Sequence, residues 1–238
     1  MADVVKIGWS GGKDSTAAVM KHIERGDQVK IVHYTPMFTR EIPLILKDHY
    51  QFILQTANYF KSLGAEVYFA DKGLTYYEYV THIALSGKCK GQMFGFPIVG
   101  AGMCGFKRDG KLKALSLCDV GNYDYESVGI CYDETKRQNQ LNENFRSILC
   151  ELHITQNGTK RYCLDNGLYS PHYSHNTKRD GCALCYNAKE EERRRWFTDY
   201  PGAIPLVIEL QNLVKDYRPD RPPLRGYKYF IDEEGGIN

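Results

Sequence analysis

The stretch VVKIGWSGGKDSTAAVMKHIERG, residues 4–26, decides the fold. Val4 to Trp9 is a short apolar run that predicts a buried strand. It stops abruptly at Ser10-Gly11-Gly12, and Thr16 to Arg25 then carries Val19, Met20 and Ile23 at helical spacing, with Gly26 as the stop. A glycine pair at the carboxyl end of a strand lets the backbone turn tightly and approach a ligand with no Cβ in the way. The helix that follows aims its first N–H groups and its positive dipole end at the same space, which suits phosphate. Ser10 and Ser15 add hydroxyl groups and Lys13 a positive charge. The stretch is not a Walker A loop: Ile7 stands where the first glycine of that pattern belongs, and Asp14 follows Lys13 where Ser or Thr is required. Asp14 beside a phosphate is repulsive unless a cation intervenes, which implies Mg²⁺. A plain glycine turn before a capped helix would need neither the second glycine nor the lysine.

The alternation continues outward. Val29 to Tyr34 predicts a second strand, Glu41 to Leu63 a helix ended by Gly64, Glu66 to Ala70 a third strand and Thr75 to Leu85 a third helix. Ser127 to Cys131 and Phe145 to Leu149 read as short strands. Thr155 to Asn166 reads as a helix stopped by Gly167, and Lys189 to Thr198 and Ile204 to Tyr217 as two more helices. This order predicts an α/β fold, a doubly wound, mostly parallel, Rossmann-like twisted sheet. Gly87 to Gly110 breaks the pattern: rich in Gly and Lys and holding Cys89 and Cys104, it reads as a long functional loop or an insertion. The tail RPDRPPLRGYKYF, residues 218–230, has too much proline for a regular element. The expected organisation is a nucleotide-binding α/β domain over 1–170 and a cysteine-bearing helical extension over 171–238, packed on the same domain.

With 238 residues, 42% hydrophobic and 25% charged, the chain suits one α/β domain with a subdomain. No apolar run approaches the roughly 18–20 residues that cross a bilayer. MADVVKIG lacks a basic segment followed by a long apolar one. The expected location is therefore the cytoplasm, with no membrane partner. A net charge of +2 argues against a protein that coats nucleic acid and leaves local patches open. Eight cysteines in a reducing compartment point to metal binding or catalysis rather than disulfides.

SGGKDS, residues 10–15, resembles the PP-loop of the ATP pyrophosphatases, the adenine nucleotide alpha hydrolase-like superfamily. The resemblance implies that Ser10, Gly11, Gly12, Lys13, Asp14 and Ser15 grip the β- and γ-phosphates of ATP with Mg²⁺. Cleavage then falls between the α- and β-phosphates, AMP passes to a substrate and pyrophosphate leaves. More of the chain resembles the phosphoadenosine phosphosulfate (PAPS) reductase family in its phage and mobile-element form. VGICYDETKR, residues 128–137, is similar to that family's GI…DE…KR segment, and Cys182 and Cys185 are similar to its late CxxC pair. FPIVGAGMCGFKRD, residues 96–109, is a degenerate version of its middle segment: it keeps Pro97 and Cys104 but has Ala101 where a further cysteine would fall. By resemblance, Lys13, Asp14 and Asp133 are the catalytic candidates, the segment of Asp133 and Glu134 lines the cleft, and Lys136 and Arg137 meet phosphate or sulfate. The plainer alternative for Asp133 to Arg137 is an acidic helix start followed by exposed bases.

Cys182-Ala183-Leu184-Cys185 has the spacing at which two thiolates take one metal from a tight turn. By resemblance they join Cys104 around a [4Fe–4S] cluster or Zn²⁺. The fourth ligand stays open among Cys131, Cys118, Cys163 and His175. Reduced buried thiols, or a redox dithiol, are the other readings of the pair. Cys163 reads as core, and His172 and His175 as loop residues. Lys107 and Arg108 are candidates for an anionic substrate. KEEERRRW, residues 189–196, reads as a solvated helix face with Glu190–Arg194 and Glu191–Arg195 pairs. In the tail, Arg218, Arg221, Arg225 and Lys228 either cover the site or touch nucleic-acid phosphates, and a simple packed tail is the alternative.

The expected function is an ATP-binding enzyme that adenylates a substrate, or acts on an adenylyl-sulfate, in sulfur or nucleic-acid modification. Its partners are an adenine nucleotide and an acceptor drawn from tRNA, DNA or a sulfur compound, with a homodimer allowed. The alternative is a nucleotide-binding component of a nucleic-acid-modification or phage-defence complex, with little activity alone. Thioredoxin-dependent reduction of phosphoadenylyl sulfate is not expected. That chemistry needs a nucleophilic thiol near the C-terminus, and residues 186–238 contain no cysteine.

Overall fold

The computed structural model describes residues 2–87, 89–100, 103–175, 181–221 and 224. In chain order its elements begin β1 (Val4–Trp9), α1 (Lys13–Arg25), β2 (Gln28–His33), α2 (Lys47–Ser62), β3 (Glu66–Phe69) and α3 (Tyr76–Thr81). The short strands β4 (Val99–Gly100) and β5 (Met103–Cys104) follow, then a π-helical turn at Lys107–Leu112 and α4 (Lys113–Ser116). Next come β6 (Tyr125–Ser127), α5 (Thr135–Gln138), β7 (Phe145–Arg146), α6 (Ile148–Glu151) and α7 (Gln156–Asp165). A 3₁₀ turn at Pro171–His175 precedes α8 (Glu190–Asp199) and α9 (Ala203–Tyr217). The chain divides into two compact units, each assembled from three segments: 1–34, 48–71 and 115–180 in the first, 35–47, 72–114 and 181–238 in the second. The sequence reading drew a single cut at residue 170. It had no sign that residues 35–47 and 72–114 belong with the C-terminal region.

The first unit is a doubly wound α/β fold. Its sheet has five strands, all parallel, in the order β3-β2-β1-β6-β7. β1 is central, and its apolar run is the reason: Val5, Ile7 and Trp9 are all but fully buried, as are Ile31 and Val32 of β2. Each such side chain contributes about 1.5–3 kcal/mol on burial. The chain moves outward from β1 to β2 and β3, then returns to the other side of β1 for β6 and β7. The order therefore reverses between β1 and β6, and in open α/β sheets ligands bind in the crevice outside the carboxyl ends of the strands at that point.

The strand and helix boundaries at β1, α1, β2, β3, α7, α8 and α9 lie close to the sequence reading; four others differ. α2 starts at Lys47 instead of Glu41, because Pro43 cannot donate to a helix and instead forms an antiparallel bridge with Met37. α3 ends at Thr81: His82 is extended, and Ile83 pairs with Met93. β6 covers Tyr125–Ser127 rather than 127–131, since Gly129 turns the chain away against α1. β7 stops at Arg146 because Ser147 caps α6, its side chain accepting from the Cys150 N–H.

The second unit is built on one apolar cluster. Phe38, Leu44, Tyr76, Val80, Trp196, Phe197, Val207 and Leu210 are among its buried members, and Trp196 donates its indole N–H to the Pro43 carbonyl at 2.8 Å. α3 starts with a capping box between Thr75 and Glu78. Within Gly87 to Gly110, which the sequence left irregular, the described residues form the antiparallel β4–β5 pair and the start of the π-helical turn. Gly73 is required there, because a Cβ would sit 2.4 Å from the Gly110 carbonyl oxygen. α8 is less solvated than expected. Arg194 pairs with Glu190 at 3.0 Å on the surface, but Glu192 and Arg193 are buried. Among the described residues no helix is long and apolar enough to cross a membrane.

Candidate functional site

The Ser10–Ser15 loop leaves β1 at the point where the strand order reverses. Gly11 takes φ 83°, and a Cβ there would lie 2.9 Å from both His49 Cε1 and Ile53 Cγ1, so conformation and space both require glycine. Gly12 is the N-cap of α1 and offers it no side-chain hydrogen bond. The two serines hold the turn together. Ser10 Oγ accepts from the Gly12 N–H at 3.2 Å, and Ser15 Oγ donates to the Gly12 carbonyl at 3.0 Å and accepts from the Ser10 N–H at 3.2 Å. The Lys13 N–H donates to the Tyr173 hydroxyl at 3.2 Å. No described residue accepts from the Asp14 or Ser15 amide, so the start of α1 keeps donors for a ligand.

Gly129, on the chain leaving β6, presses on this helix start: a Cβ would lie 2.7 Å from Ser15 N and 2.8 Å from Ser15 Cα. The two strand ends that bracket the reversal are thus locked together by one glycine.

Lys13 and Asp14 face each other. Lys13 Nζ lies 2.5 Å from Asp14 Oδ1, and their side chains are 16% and 28% exposed. The same oxygen accepts from Thr159 Oγ1 at 2.5 Å and from Cys131 Sγ at 3.2 Å. Lys13 Nζ also reaches Thr159 Oγ1 at 3.4 Å, and Cys163 Sγ donates to the Lys13 carbonyl at 3.3 Å. Burial, reinforced by the Asp14 charge, keeps both thiols protonated: the Cys131 thiol is pushed far up, and that of Cys163 up to about 12. Two of the open candidates for a fourth metal ligand are therefore neutral thiols committed to the start of α1. Cys163 is fully buried, in keeping with its reading as core.

The remaining candidates of this unit lie after β6. Asp133 is exposed and accepts from the Gln156 N–H at 3.0 Å, fixing the start of α7. Glu134 accepts from the Cys131 N–H at 2.9 Å and pairs with Arg137 at 2.7 Å. Lys136 and Arg137 are exposed on α5. Among the described contacts none of Asp133, Lys136 and Arg137 touches residues 10–15. Within their segment, Gly129 and Cys131 do.

Sequence reasoning missed a group beneath Gly11. His49 Nδ1 and His172 Nδ1 lie 2.7 and 2.8 Å from Ser170 Oγ and 3.1 Å from each other, all three residues being buried. His172 lies in the 3₁₀ turn after α7, and its side chain is buried. The Tyr173 ring stacks on Tyr169 at 4.8 Å. Single histidines and tyrosines so far from residue 11 in the chain carry no periodic signal.

In the second unit, Cys104 ends β5, and Cys182 and Cys185 flank a tight turn in which the Cys185 N–H donates to the Cys182 carbonyl at 3.0 Å. All three are half-buried, and all three add their field to burial in driving the Tyr76 hydroxyl well above its ordinary range. Arg193 Nη2 ties α8 to the Cys185 carbonyl at 3.0 Å. Gly105 allows close packing beside Cys104, since a Cβ there would overlap the Tyr79 hydroxyl. Among the described residues no group of three or more His, Cys, Asp or Glu is arranged to hold a metal ion. Lys107 and Arg108 are exposed on the π-helical turn, Arg108 paired with Asp109 at 2.7 Å. Ala101, Arg225 and Lys228 lie outside the described residues, as does the side chain of His175.

No protein-family model matches the chain, and no curated protein matches it.

Proposed function

We propose that the first unit binds ATP through residues 10–15 and directs cleavage between the α- and β-phosphates, so that AMP passes to an acceptor and pyrophosphate leaves. The observation that carries this reading is a glycine turn with an open helix start, placed at the reversal of a parallel sheet, with Lys13 and Asp14 beside it. The resemblance of SGGKDS to the PP-loop of the ATP pyrophosphatases supports the choice of nucleotide and of bond. Phosphate oxygens would take the amides of Asp14 and Ser15, and the Lys13 ammonium would move from Asp14 to the leaving pyrophosphate, where negative charge builds. An acceptor nucleophile would attack the α-phosphorus as the bond from that phosphorus to the oxygen bridging to the β-phosphate breaks; the nucleophile's proton would pass to solvent and the bridging oxygen would leave with pyrophosphate. Asp14 makes all its hydrogen bonds to described residues through Oδ1. It would supply a carboxylate to a phosphate-borne Mg²⁺, an ion held by one or two carboxylates besides the phosphates. Bound there, the ion would offset the repulsion between Asp14 and the phosphates.

Cys104, Cys182 and Cys185 are soft donors of the kind that take Zn²⁺ or an iron–sulfur cluster, but as placed among the described residues they form no ready ligand set, and no catalytic step is derived from them. The test of function is pyrophosphate release from ATP, alone and with tRNA, DNA or sulfur compounds. Release with one acceptor class supports adenylation. Release only with a partner chain favours a component of a modification complex. Failure to bind ATP overturns the reading.

A further inference from the structure

We infer that Thr159 is a positioning residue that holds the Asp14 carboxylate in place once Lys13 turns to a phosphate, an inference that rests on residues 10–15 being an ATP loop. In the free protein Asp14 Oδ1 is held by Lys13 Nζ at 2.5 Å, Thr159 Oγ1 at 2.5 Å and Cys131 Sγ at 3.2 Å. A phosphate that draws Lys13 away leaves the last two. A thiol is a weak donor, so the hydroxyl becomes the principal tether. Thr159 has a single hydroxyl proton, and the Gln156 carbonyl at 2.9 Å competes for it. The carboxylate is both nearer and charged, and a hydrogen bond to a charged acceptor is roughly twice as strong as a neutral one. The lone pairs of the same oxygen face Lys13 Nζ at 3.4 Å, so one atom touches both members of the pair.

Thr159 is itself closely packed. It is fully buried, and a β-branched side chain in a helix has few rotamers. It sits in the first turn of α7, where its N–H donates to the Thr155 carbonyl at 2.9 Å and the Thr155 side chain caps the Gly158 N–H. Asp133 pins the same turn through the Gln156 N–H. A fixed hydroxyl on a fixed turn keeps Asp14 aimed at the phosphates, ready for the cation they carry. Without it the carboxylate would swing from the phosphates' charge.

Calorimetric titration of the full chain with ATP, in EDTA and in Mg²⁺, separates this role from simple packing. In the wild type Mg²⁺ should tighten ATP binding. In Thr159→Val the affinity for metal-free ATP should stay within about twofold, while the Mg²⁺ enhancement falls by about tenfold or more, the scale of one lost charge-assisted hydrogen bond. Thr159→Ser should restore it. A Thr159→Val protein with the full enhancement overturns the inference and leaves the ATP reading standing, as does a wild type that binds ATP with no Mg²⁺ effect. A wild type that binds ATP in neither condition overturns both. Should Thr159→Val lose its circular-dichroism signal, Thr159→Ala and Thr159→Ser replace it: loss in the first and retention in the second support the role, and equal behaviour overturns it.

Discussion

The two units use cysteine in opposite ways. In the first, Cys131 and Cys163 are fully buried, protonated, and spent as weak donors to Asp14 and to the Lys13 carbonyl. In the second, Cys104, Cys182 and Cys185 are half-buried, and their charge adds to burial in raising the Tyr76 hydroxyl. A thiol kept protonated by burial and by a nearby carboxylate is poorly reactive, whereas a half-buried thiol stays within reach of a ligand. The lesson is that position, not spacing, separates them. The sequence admits Cys131 and Cys163 as metal ligands; in the structure they are buried thiols that donate to Asp14 and to the Lys13 carbonyl.

The strongest way to sharpen the contrast is metal analysis of anaerobically purified protein. One zinc or one iron–sulfur cluster per chain is expected, and it should be lost in Cys182→Ser and retained in Cys163→Ala. Loss should also weaken the second unit, because metal-binding free energy appears as folding free energy. A metal retained in Cys182→Ser would break the contrast. Next in size is Gly129→Ala, which forces a methyl group into the α1 backbone. It should cost about 3 kcal/mol, read as a lower denaturation midpoint, the upper range for overpacking. Gly202→Ala, at the start of α9 in the second unit, meets nothing within 4 Å and should shift the midpoint little.

Thiol labelling probes the same difference more gently. In chelator-treated protein at pH 8, Cys131 and Cys163 should react with iodoacetamide on the order of a hundredfold slower than Cys104 and Cys185, since only the thiolate attacks. Equal rates, read by mass spectrometry of peptides, would mean that the first unit's thiols are not held as described. The smallest effect concerns His22, buried between Asp27 and Ser127 at 2.7 Å each. Burial lowers its proton affinity below the ordinary value near 6.5, outweighing the pull of Asp27. The unfolded chain therefore binds this proton more readily. The contribution is complete above about pH 6.5 and is lost as pH falls below it, by at most about 1.4 kcal/mol per pH unit. A His22→Gln variant should show a flatter stability profile between pH 7 and 5.

The parts of the fold that local signals govern were legible. Gly11, Gly12 and Gly26 frame β1 and α1, and the boundaries fall within a few residues of the expected ones because glycine acts on its own backbone. Pro43 was equally visible but overridden by the apolar spacing of residues 42–46, which serves the second unit's core instead of a helix. Lys13, Asp14 and Ser15 were readable as a group because they are adjacent. Thr159 was not, being 145 residues from Asp14, nor was Tyr173, 160 residues from Lys13. A threonine within a helix has no pattern that marks its hydroxyl as a tether. Asp133 was a catalytic candidate by resemblance, and in the structure it accepts from the Gln156 N–H at the start of α7.

The most direct test of residues 10–15 as a phosphate grip is calorimetric titration of wild-type and Lys13→Ala protein with ATP and Mg²⁺. Lys13 carries the only positive side chain of the loop, and its loss also leaves Asp14 without its ion-pair partner. Removing a charge-assisted contact to phosphate costs about 1.5–3 kcal/mol, so affinity should fall by about tenfold to a hundredfold while the circular-dichroism spectrum is unchanged. Equal affinity in the two proteins would contradict the assignment.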